Sequence, residues 1–257
     1  MFHAPDLLHA LDGLRFAHPI YLYQQIGSTN SQARRFADAD APEGLLVVAE
    51  EQTAGRGRAG RRWITPRGAA LAFSLVLRPA LPPDHAARLT MLAGLAACEA
   101  IEQITFLPTR LKWPNDVLLS GKKVAGILLE TTLQGDRLDY AILGLGMNVS
   151  FTPAPADVDF PATSLQAESG IAVDRLQLLR AILARLEARY AALLETSLYD
   201  DWRARLALMN EPLVVRTPGG EHLGRAVSVD SSGALLFQLD SGETQRLLAG
   251  DVRLRPA

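Results

Sequence analysis

A glycine- and arginine-rich segment between two strand-like runs, residues 49–68, constrains the fold of this chain most. Its sequence is AEEQTAGRGRAGRRWITPRG, in which five arginines alternate with glycines. The apolar run LLVVAEEQ (45–52) precedes it and ALAFSLVLRP (70–79) follows it, so we expect two strands to hold it at the edge of a sheet. Glycine permits close approach of a ligand, and arginine binds carboxylate or phosphate with a planar fork. The segment therefore suggests an anion-binding loop, although a solvated basic loop would explain it equally well.

The spacing Gly55-x-Gly57-x-x-Gly60 matches the dinucleotide-binding fingerprint, but its context argues against that function. Fingerprint glycines open a helix within a βαβ unit, whereas here Trp63 and Pro66 lead into another strand. The sequence also lacks the Walker pattern, the GxSxG elbow and any metal-ligand spacing. The segment offers many groups that can bind anions, and the sequence shows no evident protein nucleophile. This combination suits a reaction whose nucleophile belongs to the substrate, such as attack of a ligand carboxylate on the α-phosphate of ATP.

Composition favours an ordinary globular protein in a reducing compartment. Of 257 residues, 48% are hydrophobic, and the net charge is −2, which argues against nucleic-acid binding through bulk electrostatics. The single cysteine, Cys98, excludes an internal disulfide and lies in an apolar run, where we expect it to pack in the core. No signal peptide or membrane-length apolar run is evident. We predict a cytoplasmic protein that binds neither membrane nor DNA.

Lysine is rare in this chain, and its positions are informative. The three lysines, Lys112, Lys122 and Lys123, all lie in LKWPNDVLLSGKKVAGILLE (111–130), while arginine supplies the other basic residues. Lysine is a compact point charge, so the cluster suggests a position that requires one; chance clustering is the alternative. Pro114 is predicted to interrupt the first strand of this stretch, and SG (120–121) to turn it into a hairpin.

The order of elements predicts an α+β fold with a mixed β-sheet and packed helices. Strands are expected at 20–26, 45–52, 70–79, 111–113, 117–119, 124–132 and 141–150, and helices at 5–15, 29–39, 84–104, 174–194 and 198–208. Residues 151–163 are expected to form an irregular connection. From residue 211, short alternating strands separated by PGG, SSG and SG predict a small SH3-like β-barrel. The predicted domains are 1–208 and 211–257.

The segment STN (28–30) is a candidate ligand-binding helix start. Thr29-x-x-Gln32 reads as a capping box, which would place Ser28, Thr29 and Asn30 beside the free N–H groups of a helix N-terminus. A plain N-cap is an equally good explanation.

Glycines recur in the middle of the strands predicted at 124–132 and 141–150. Gly126, Gly144 and Gly146 would weaken their strands unless a ligand or a backbone fills the space that they leave. One shared pocket beside these strands explains all three.

Taken together, five motifs in one order make the chain resemble biotin–protein ligases. They are STN (28–30), EEQTAGRGRAGRRW (50–63), KWPND (112–116), GKKVAGILLE (121–130) and GLGMNV (144–149). The resemblance implies a class II synthetase-like catalytic domain that converts biotin and ATP to biotinoyl-5′-AMP and pyrophosphate. A lysine of a biotin carboxyl carrier domain, in acetyl-CoA carboxylase or a related carboxylase, would then accept the biotinoyl group. Mg²⁺ is expected with ATP, its ligands are unassigned, and a homodimer is compatible with the family.

The resemblance also implies roles for individual residues. Those expected to bind biotin are Ser28, Thr29, Asn30, Gln52, Gly55, Arg56, Gly57, Arg58, Lys123 and Gly126. Those expected to bind the nucleotide are Trp63, Asn148, Arg58 and Lys123. Lys123 and Arg58 are the expected catalytic residues, with Lys123 contacting the biotin carboxylate and the α-phosphate. Asp116 is expected to orient the acceptor lysine or a ligand group, and capping of the turn is the equal alternative.

Two departures and three alternatives accompany the resemblance. Ala59 stands where the family often has arginine, and Thr65 where it often has serine; both are expected to alter loop closure without removing a chemical function. Repressor-type members carry a winged helix before the catalytic domain, and because roughly 20 residues precede the first strand here we expect a monofunctional ligase. The alternatives are a lipoate-type protein ligase, a non-catalytic biotin-sensing protein and a DNA-binding regulator.

Overall fold

The computed structural model describes residues 1–217 and 219–255, which form two β-sheets with helices packed on the larger one. Pro218 of the predicted PGG turn and the last two residues of the predicted C-terminal domain lie outside the described residues.

The larger sheet has seven strands in the order β1-β2-β3-β7-β6-β5-β4. The strands are β1 (Ile20–Tyr23), β2 (Leu46–Ala49), β3 (Ala70–Leu77), β4 (Thr109–Lys112), β5 (Asp116–Leu119), β6 (Lys122–Gln134) and β7 (Arg137–Asn148). Only β1 and β2 pair in parallel, and the other neighbours are antiparallel. The predicted mixed sheet is therefore confirmed.

Helices cover both faces of this sheet. They are α1 (Ala4–Ala10), α2 (Thr29–Asp38), α3 (Ala87–Thr105), α4 (Leu165–Ser169), α5 (Arg175–Tyr190) and α6 (Thr196–Ala204). In β2, Val48 faces the main core formed with α3 and α5, whereas Val47 faces a smaller core formed with α2, as strand alternation requires. The first helix is shorter than predicted because Gly13, with a φ of 78°, lies in the turn that follows it. Among the described residues, no helix has the length and apolarity to span a membrane.

The predicted capping box of α2 is wrong by one residue. Ser28 is the N-cap, and its Oγ accepts a hydrogen bond from the Ser31 amide at 3.4 Å. Thr29 is therefore the first helical residue, and Gln32 does not occupy the capping-box position. Serine is the somewhat better N-cap of the two, whereas the spacing Thr29-x-x-Gln32 imitates a capping box one residue later. The shift matters because it leaves the Thr29 amide and hydroxyl available to the neighbouring strand.

The C-terminal sheet is antiparallel, with five strands in the order β11-β10-β9-β8-β12. The strands are β8 (Pro212–Thr217), β9 (Gly220–Val229), β10 (Leu235–Leu239), β11 (Thr244–Leu247) and β12 (Asp251–Leu254). The run TQRLLAGDVRLR thus contains two strands, and β12 pairs with β8. Trp113 fastens this sheet to the larger one, since its Nε1 donates to the carbonyl of Gly233 at 2.9 Å. The C-terminal sheet therefore lies beside the turn that joins β4 to β5.

Candidate active site

A single cavity of about 800 Å³ collects nearly all the predicted site residues. It lies where the ends of the central strands meet the glycine/arginine segment, the connection after β7 and the C-terminal sheet. The predicted residues on its wall are Ser28, Thr29, Asn30, Gln52, Arg56, Gly57, Arg58, Trp63, Asp116, Lys123, Gly126 and Asn148. This volume suits a small-molecule ligand. Gly55 is not on the wall.

The glycine/arginine segment is a hairpin whose two arms approach each other closely. Antiparallel bridges join Gln52 to Thr65 and Arg56 to Arg62, and the Trp63 amide donates to the Gly55 carbonyl at 2.9 Å. A Cβ on Gly55 would lie 2.4 Å from the Trp63 carbonyl oxygen. Gly55 is therefore required for the approach of the second arm, and the hairpin presents its other residues to the cavity.

One end of the cavity is a neutral hydrogen-bond network centred on Gln52. Gln52 Oε1 accepts from the Thr29 amide at 2.8 Å, and Gln52 Nε2 donates to Thr65 Oγ1 at 3.0 Å. Ser74 Oγ lies 2.8 Å from Thr29 Oγ1 and 2.6 Å from Asn30 Oδ1. All five residues are buried, so this network fixes their side chains before any ligand binds. Thr65 thus orients Gln52. Ser74 belongs to none of the motifs, so nothing in the sequence marked it as part of this network.

The mid-strand glycines make room for side chains of the protein itself. A Cβ on Gly144 would lie 2.0 Å from Asn30 Oδ1, and one on Gly146 would lie 2.2 Å from Trp63 Nε1. A Cβ on Gly126 would lie 3.2 Å from Cζ3 of the Trp63 ring. The expected pocket exists, but Asn30 and Trp63 occupy the space that the glycines leave. The Trp63 Nε1 group is buried without a hydrogen-bond partner among the described residues.

At the other end of the cavity, Asp116 bridges two lysines. Its Oδ1 lies 2.6 Å from Lys123 Nζ and its Oδ2 lies 2.9 Å from Lys112 Nζ. Burial raises the pKa of Asp116, but the two ammonium groups more than offset this and lower the pKa to about 2. Asp116 opens β5, and both of its oxygens are taken up by lysines, which argues against the turn-capping alternative.

The two lysines differ in exposure, and the third lies elsewhere. The Lys112 side chain is only 1% exposed, whereas that of Lys123 is 22% exposed and lies at the cavity wall. Lys123 Nζ is also 5.3 Å from the centre of the Trp63 ring. Lys122 instead pairs with Glu168 at 2.9 Å, outside the cavity. Lys112 Nζ also lies 3.9 Å from Asp251 Oδ1, so a second carboxylate faces the more buried lysine, and Lys123 is the cation of this cluster that the cavity wall presents to a ligand.

Arg58 is a loop arginine whose charge no ion pair among the described residues compensates. It is partly buried at the tip of the hairpin and makes no ion pair with another described residue. Burial lowers the pKa of Arg58; Asp116 opposes this effect and Arg61 adds to it. Arginine stays protonated in proteins, so Arg58 is a charged donor without a counter-ion at the cavity wall.

Two other cavity arginines of the hairpin, Arg56 and Arg61, have acidic partners, whereas Arg62, like Arg58, makes no ion pair within the described part of the chain. Arg56 pairs with Glu130 at 2.9 Å. Arg61 pairs with Asp251 of β12 at 3.0 Å and with Asp159 at 3.5 Å. The loop is thus held at one side by the central sheet and at the other by the C-terminal sheet.

The connection after β7 was predicted only as irregular, yet it forms a wall of the cavity. The Lys123 amide donates to the Pro161 carbonyl at 2.7 Å, and the Thr163 amide donates to the Lys123 carbonyl at 2.9 Å. Asn148 Nδ2 donates to the Thr163 carbonyl at 2.9 Å, while Asn148 Oδ1 is buried without a partner among the described residues. The Pro/Ala-rich sequence of this connection does not predict that it lines a cavity. The sequence likewise does not predict that Asp251, in the C-terminal sheet, lines the same cavity.

A neutral hydrogen-bonding end joined to a cationic end defines a pocket for a carboxylic acid and an anionic co-substrate. Residues 22–148 match the Biotin/lipoate A/B protein ligase family, and residues 209–255 match the Biotin protein ligase C terminal domain.

Named relatives agree with these matches. The chain is 36% identical over 242 residues to the bifunctional ligase/repressor BirA of Bacillus subtilis, covering 92% of this chain and 74% of the relative. It is 40% identical over 224 residues to a biotin–acetyl-CoA-carboxylase ligase of Paracoccus denitrificans, covering 84% and 92%. The structure of biotin protein ligase from Aquifex aeolicus in complex with biotin and ATP superposes with a TM-score of 0.75 at 30% identity, covering 93% and 100%. The chain therefore belongs to the biotin/lipoate A/B protein ligase family, which confirms the resemblance found in the sequence.

Proposed function

We propose that this protein is an ATP-dependent biotin–acetyl-CoA-carboxylase ligase. It forms biotinoyl-5′-AMP from biotin and ATP and then transfers biotin to a lysine of a biotin carboxyl carrier domain. The observation that carries the proposal is the placement of the Gln52 network and the Lys123–Asp116–Lys112 cluster in one cavity. The names of the relatives and the biotin and ATP in the Aquifex aeolicus complex support it.

In the first step, the neutral end holds the ureido ring of biotin and the cationic end holds its carboxylate. Ser28, Thr29, Asn30 and Gln52 contribute amide and hydroxyl groups to the first contact, and Lys123 contributes charge to the second. A carboxylate oxygen attacks the α-phosphorus of ATP, the bond to the bridging oxygen breaks, and pyrophosphate leaves. Lys123 draws the two anions together and stabilises the charge that develops on the phosphoryl oxygens. Asp116 keeps the Lys123 ammonium in place.

Trp63 and Asn148 are proposed to bind the adenylate. Each carries a buried polar atom without a partner among the described residues, the Trp63 Nε1 and the Asn148 Oδ1. Buried polar atoms are normally hydrogen-bonded, so these two are available to a ligand. The Trp63 ring adds a flat face on which a base can stack.

In the second step, the acceptor amine attacks the acyl carbon of the mixed anhydride, and AMP leaves. Arg58 and Gly57 are proposed to cover the adenylate and exclude water until the carrier domain arrives. Asp116 is proposed to orient the acceptor lysine, and it acts on this step through its ion pair with Lys123.

Gly126 contributes to the site by leaving room for the Trp63 ring.

Mg²⁺ is expected to accompany ATP. The described residues contain no group of three or more His, Cys, Asp or Glu side chains that could hold a metal ion. Asp116 is already neutralised by two lysines. A cation carried mainly by nucleotide phosphates fits this residue set, because Mg²⁺ commonly binds through substrate phosphates with few protein ligands.

The finer organisation is also part of the proposal. We assign residues 1–208 to the catalytic domain and 211–257 to a C-terminal domain that closes as an SH3-like barrel. We infer a cytoplasmic, monofunctional enzyme that does not bind DNA, on the net charge of −2 and the single cysteine. Light scattering tests the homodimer, and a gel shift at low salt tests DNA binding.

A transfer assay tests the activity. The protein is incubated with ATP, Mg²⁺, a biotin carboxyl carrier domain and either radiolabelled biotin or radiolabelled lipoate. We expect biotin to label the carrier domain and pyrophosphate release to depend on biotin. Labelling by lipoate alone would indicate a lipoate-type ligase, and biotin binding without pyrophosphate release would indicate a non-catalytic biotin-sensing protein.

A further inference from the structure

Glu130 of β6 is a mostly buried carboxylate that lies behind the cavity wall and has no part in the reaction described above. Its side chain is 19% exposed. Glu130 Oε2 accepts from Arg56 Nη2 at 2.9 Å and from Asn30 Nδ2 at 2.8 Å. Arg34 lies on its other oxygen, at 3.8 Å. One carboxylate oxygen therefore binds the first arginine of the hairpin and a residue of the neutral end.

This shared oxygen fixes two groups that otherwise belong to separate parts of the protein. Asn30 is on α2, and its amide is oriented by Glu130 on one side and by Ser74 Oγ, 2.6 Å from its Oδ1, on the other. Arg56 is on the hairpin, and its side chain is 44% exposed. A hydrogen bond to a charged group is about twice as strong as a neutral one, so loss of the Glu130 charge weakens both contacts together.

We propose that Glu130 is a positioning residue that couples the biotin end of the cavity to the arginine hairpin. It neutralises Arg56 and anchors the first arm of the hairpin, so that Arg56 is engaged by the protein, whereas Arg58 at the tip has no ion pair among the described residues. The orientation of Asn30 and the position of Arg56 therefore depend on the same carboxylate oxygen. The coupling to biotin rests on the proposed function, whereas the anchoring of the empty hairpin does not.

Trypsin cleavage of the ligand-free protein tests the anchoring. Glu130→Gln preserves shape and removes the charge, and we expect cleavage after the hairpin arginines to become about tenfold faster than in the wild type. The matched control is Glu51→Gln, because Glu51 pairs with Arg67 at 3.2 Å on the same hairpin and neither residue lines the cavity. Equal cleavage rates for Glu130→Gln and Glu51→Gln would overturn the anchoring, whatever reaction the protein catalyses.

Biotin binding tests the coupling. We expect Glu130→Gln to raise the Kd for biotin about tenfold and to leave the adenylation rate at saturating biotin within about twofold of the wild type. In a double-mutant cycle, the effects of Arg56→Gln and Glu130→Gln should be less than additive, since the contact between the two residues is lost in either variant. Glu130→Asp should restore part of the affinity. Additive effects of Arg56→Gln and Glu130→Gln, or an unchanged Kd, would contradict the coupling. If the wild type bound no biotin, the proposed function would fail while the anchoring result would stand.

Discussion

The two ends of the cavity differ in how far their polar groups are already satisfied. At the neutral end, Thr29, Asn30 and Gln52 are held by one another, by Thr65 or by Ser74.

At the cationic end, Arg58 has no ion pair within the described part of the chain, and the Trp63 Nε1 and Asn148 Oδ1 have no hydrogen-bond partner there. The first end is preorganised for a ligand that keeps its shape. The second keeps charge and hydrogen bonds available for groups that change during the reaction. We therefore expect variants at the two ends to affect different steps.

Removal of the Lys123 charge should have the largest effect. Lys123→Ala should slow adenylation about 10³-fold, because it removes the cation nearest the proposed junction of carboxylate and α-phosphate. The Kd for biotin should rise less than about fivefold, since the Gln52 network is intact. Single-turnover formation of biotinoyl-5′-AMP checks this. A Kd that rose as much as the rate fell would place Lys123 in ground-state binding.

Disruption of the neutral end should act on affinity. Gln52→Ala leaves the buried Thr29 amide and Thr65 hydroxyl without their partner, and we expect the Kd for biotin to rise about 10²-fold. Isothermal titration measures it. If the affinity were unchanged, the neutral end would not be the site of the ureido ring.

Arg58 should control retention of the intermediate. Arg58→Ala should increase the dissociation rate of biotinoyl-5′-AMP about 30-fold, since an uncompensated cation is lost from the proposed cover of the adenylate. A chase of labelled adenylate with excess unlabelled compound gives the rate. Retention as firm as in the wild type would refute the proposal that Arg58 covers the adenylate.

The Asp116 cluster should make stability depend on pH in the acidic range. The pKa of Asp116 in the folded protein, about 2, lies below its ordinary value of 3.8. Its contribution to the free energy of unfolding is therefore complete above pH 4 and is lost as the pH falls from about 4 towards 2. Thermal unfolding of wild type and Asp116→Asn across this range checks the sign, and a constant difference in Tm between them would contradict it.

The smallest effect is expected at Ala59. This residue has a φ of 53° and a ψ of 37°, a left-handed conformation that costs a non-glycine residue about 1 kcal/mol. Ala59→Gly should relieve this strain and raise stability by up to about 1 kcal/mol, with adenylation changed less than about twofold. Chemical denaturation and the adenylation assay measure the two quantities. A clear loss of stability would show that the tip is not strained.

The sequence predicted the parts of the fold that depend on local pattern. Alternating and amphipathic runs located most of the strands and helices, and the predicted site residues meet in one cavity with the exception of Gly55. The start of α2 was misplaced because Thr29-x-x-Gln32 has the spacing of a capping box, whereas Ser28 is the N-cap.

What the sequence did not reveal depends on contacts between distant segments. Asp251 reaches the cavity only because β12 pairs with β8, and the connection after β7 forms a wall only because it bonds to Lys123. Similarly, the glycines of β7 predicted an open space beside the strand, but the sequence does not show that the side chains of Asn30 and Trp63 fill it.

The most direct test of the division between the two ends is the single-turnover adenylation rate as a function of biotin concentration. It is measured for the wild type, Gln52→Ala and Lys123→Ala at fixed saturating ATP. We predict that Gln52→Ala approaches the wild-type rate once biotin is saturating, whereas Lys123→Ala remains about 10³-fold slower at every concentration. If saturating biotin restored Lys123→Ala, or failed to restore Gln52→Ala, the two ends would not have the separate roles assigned to them.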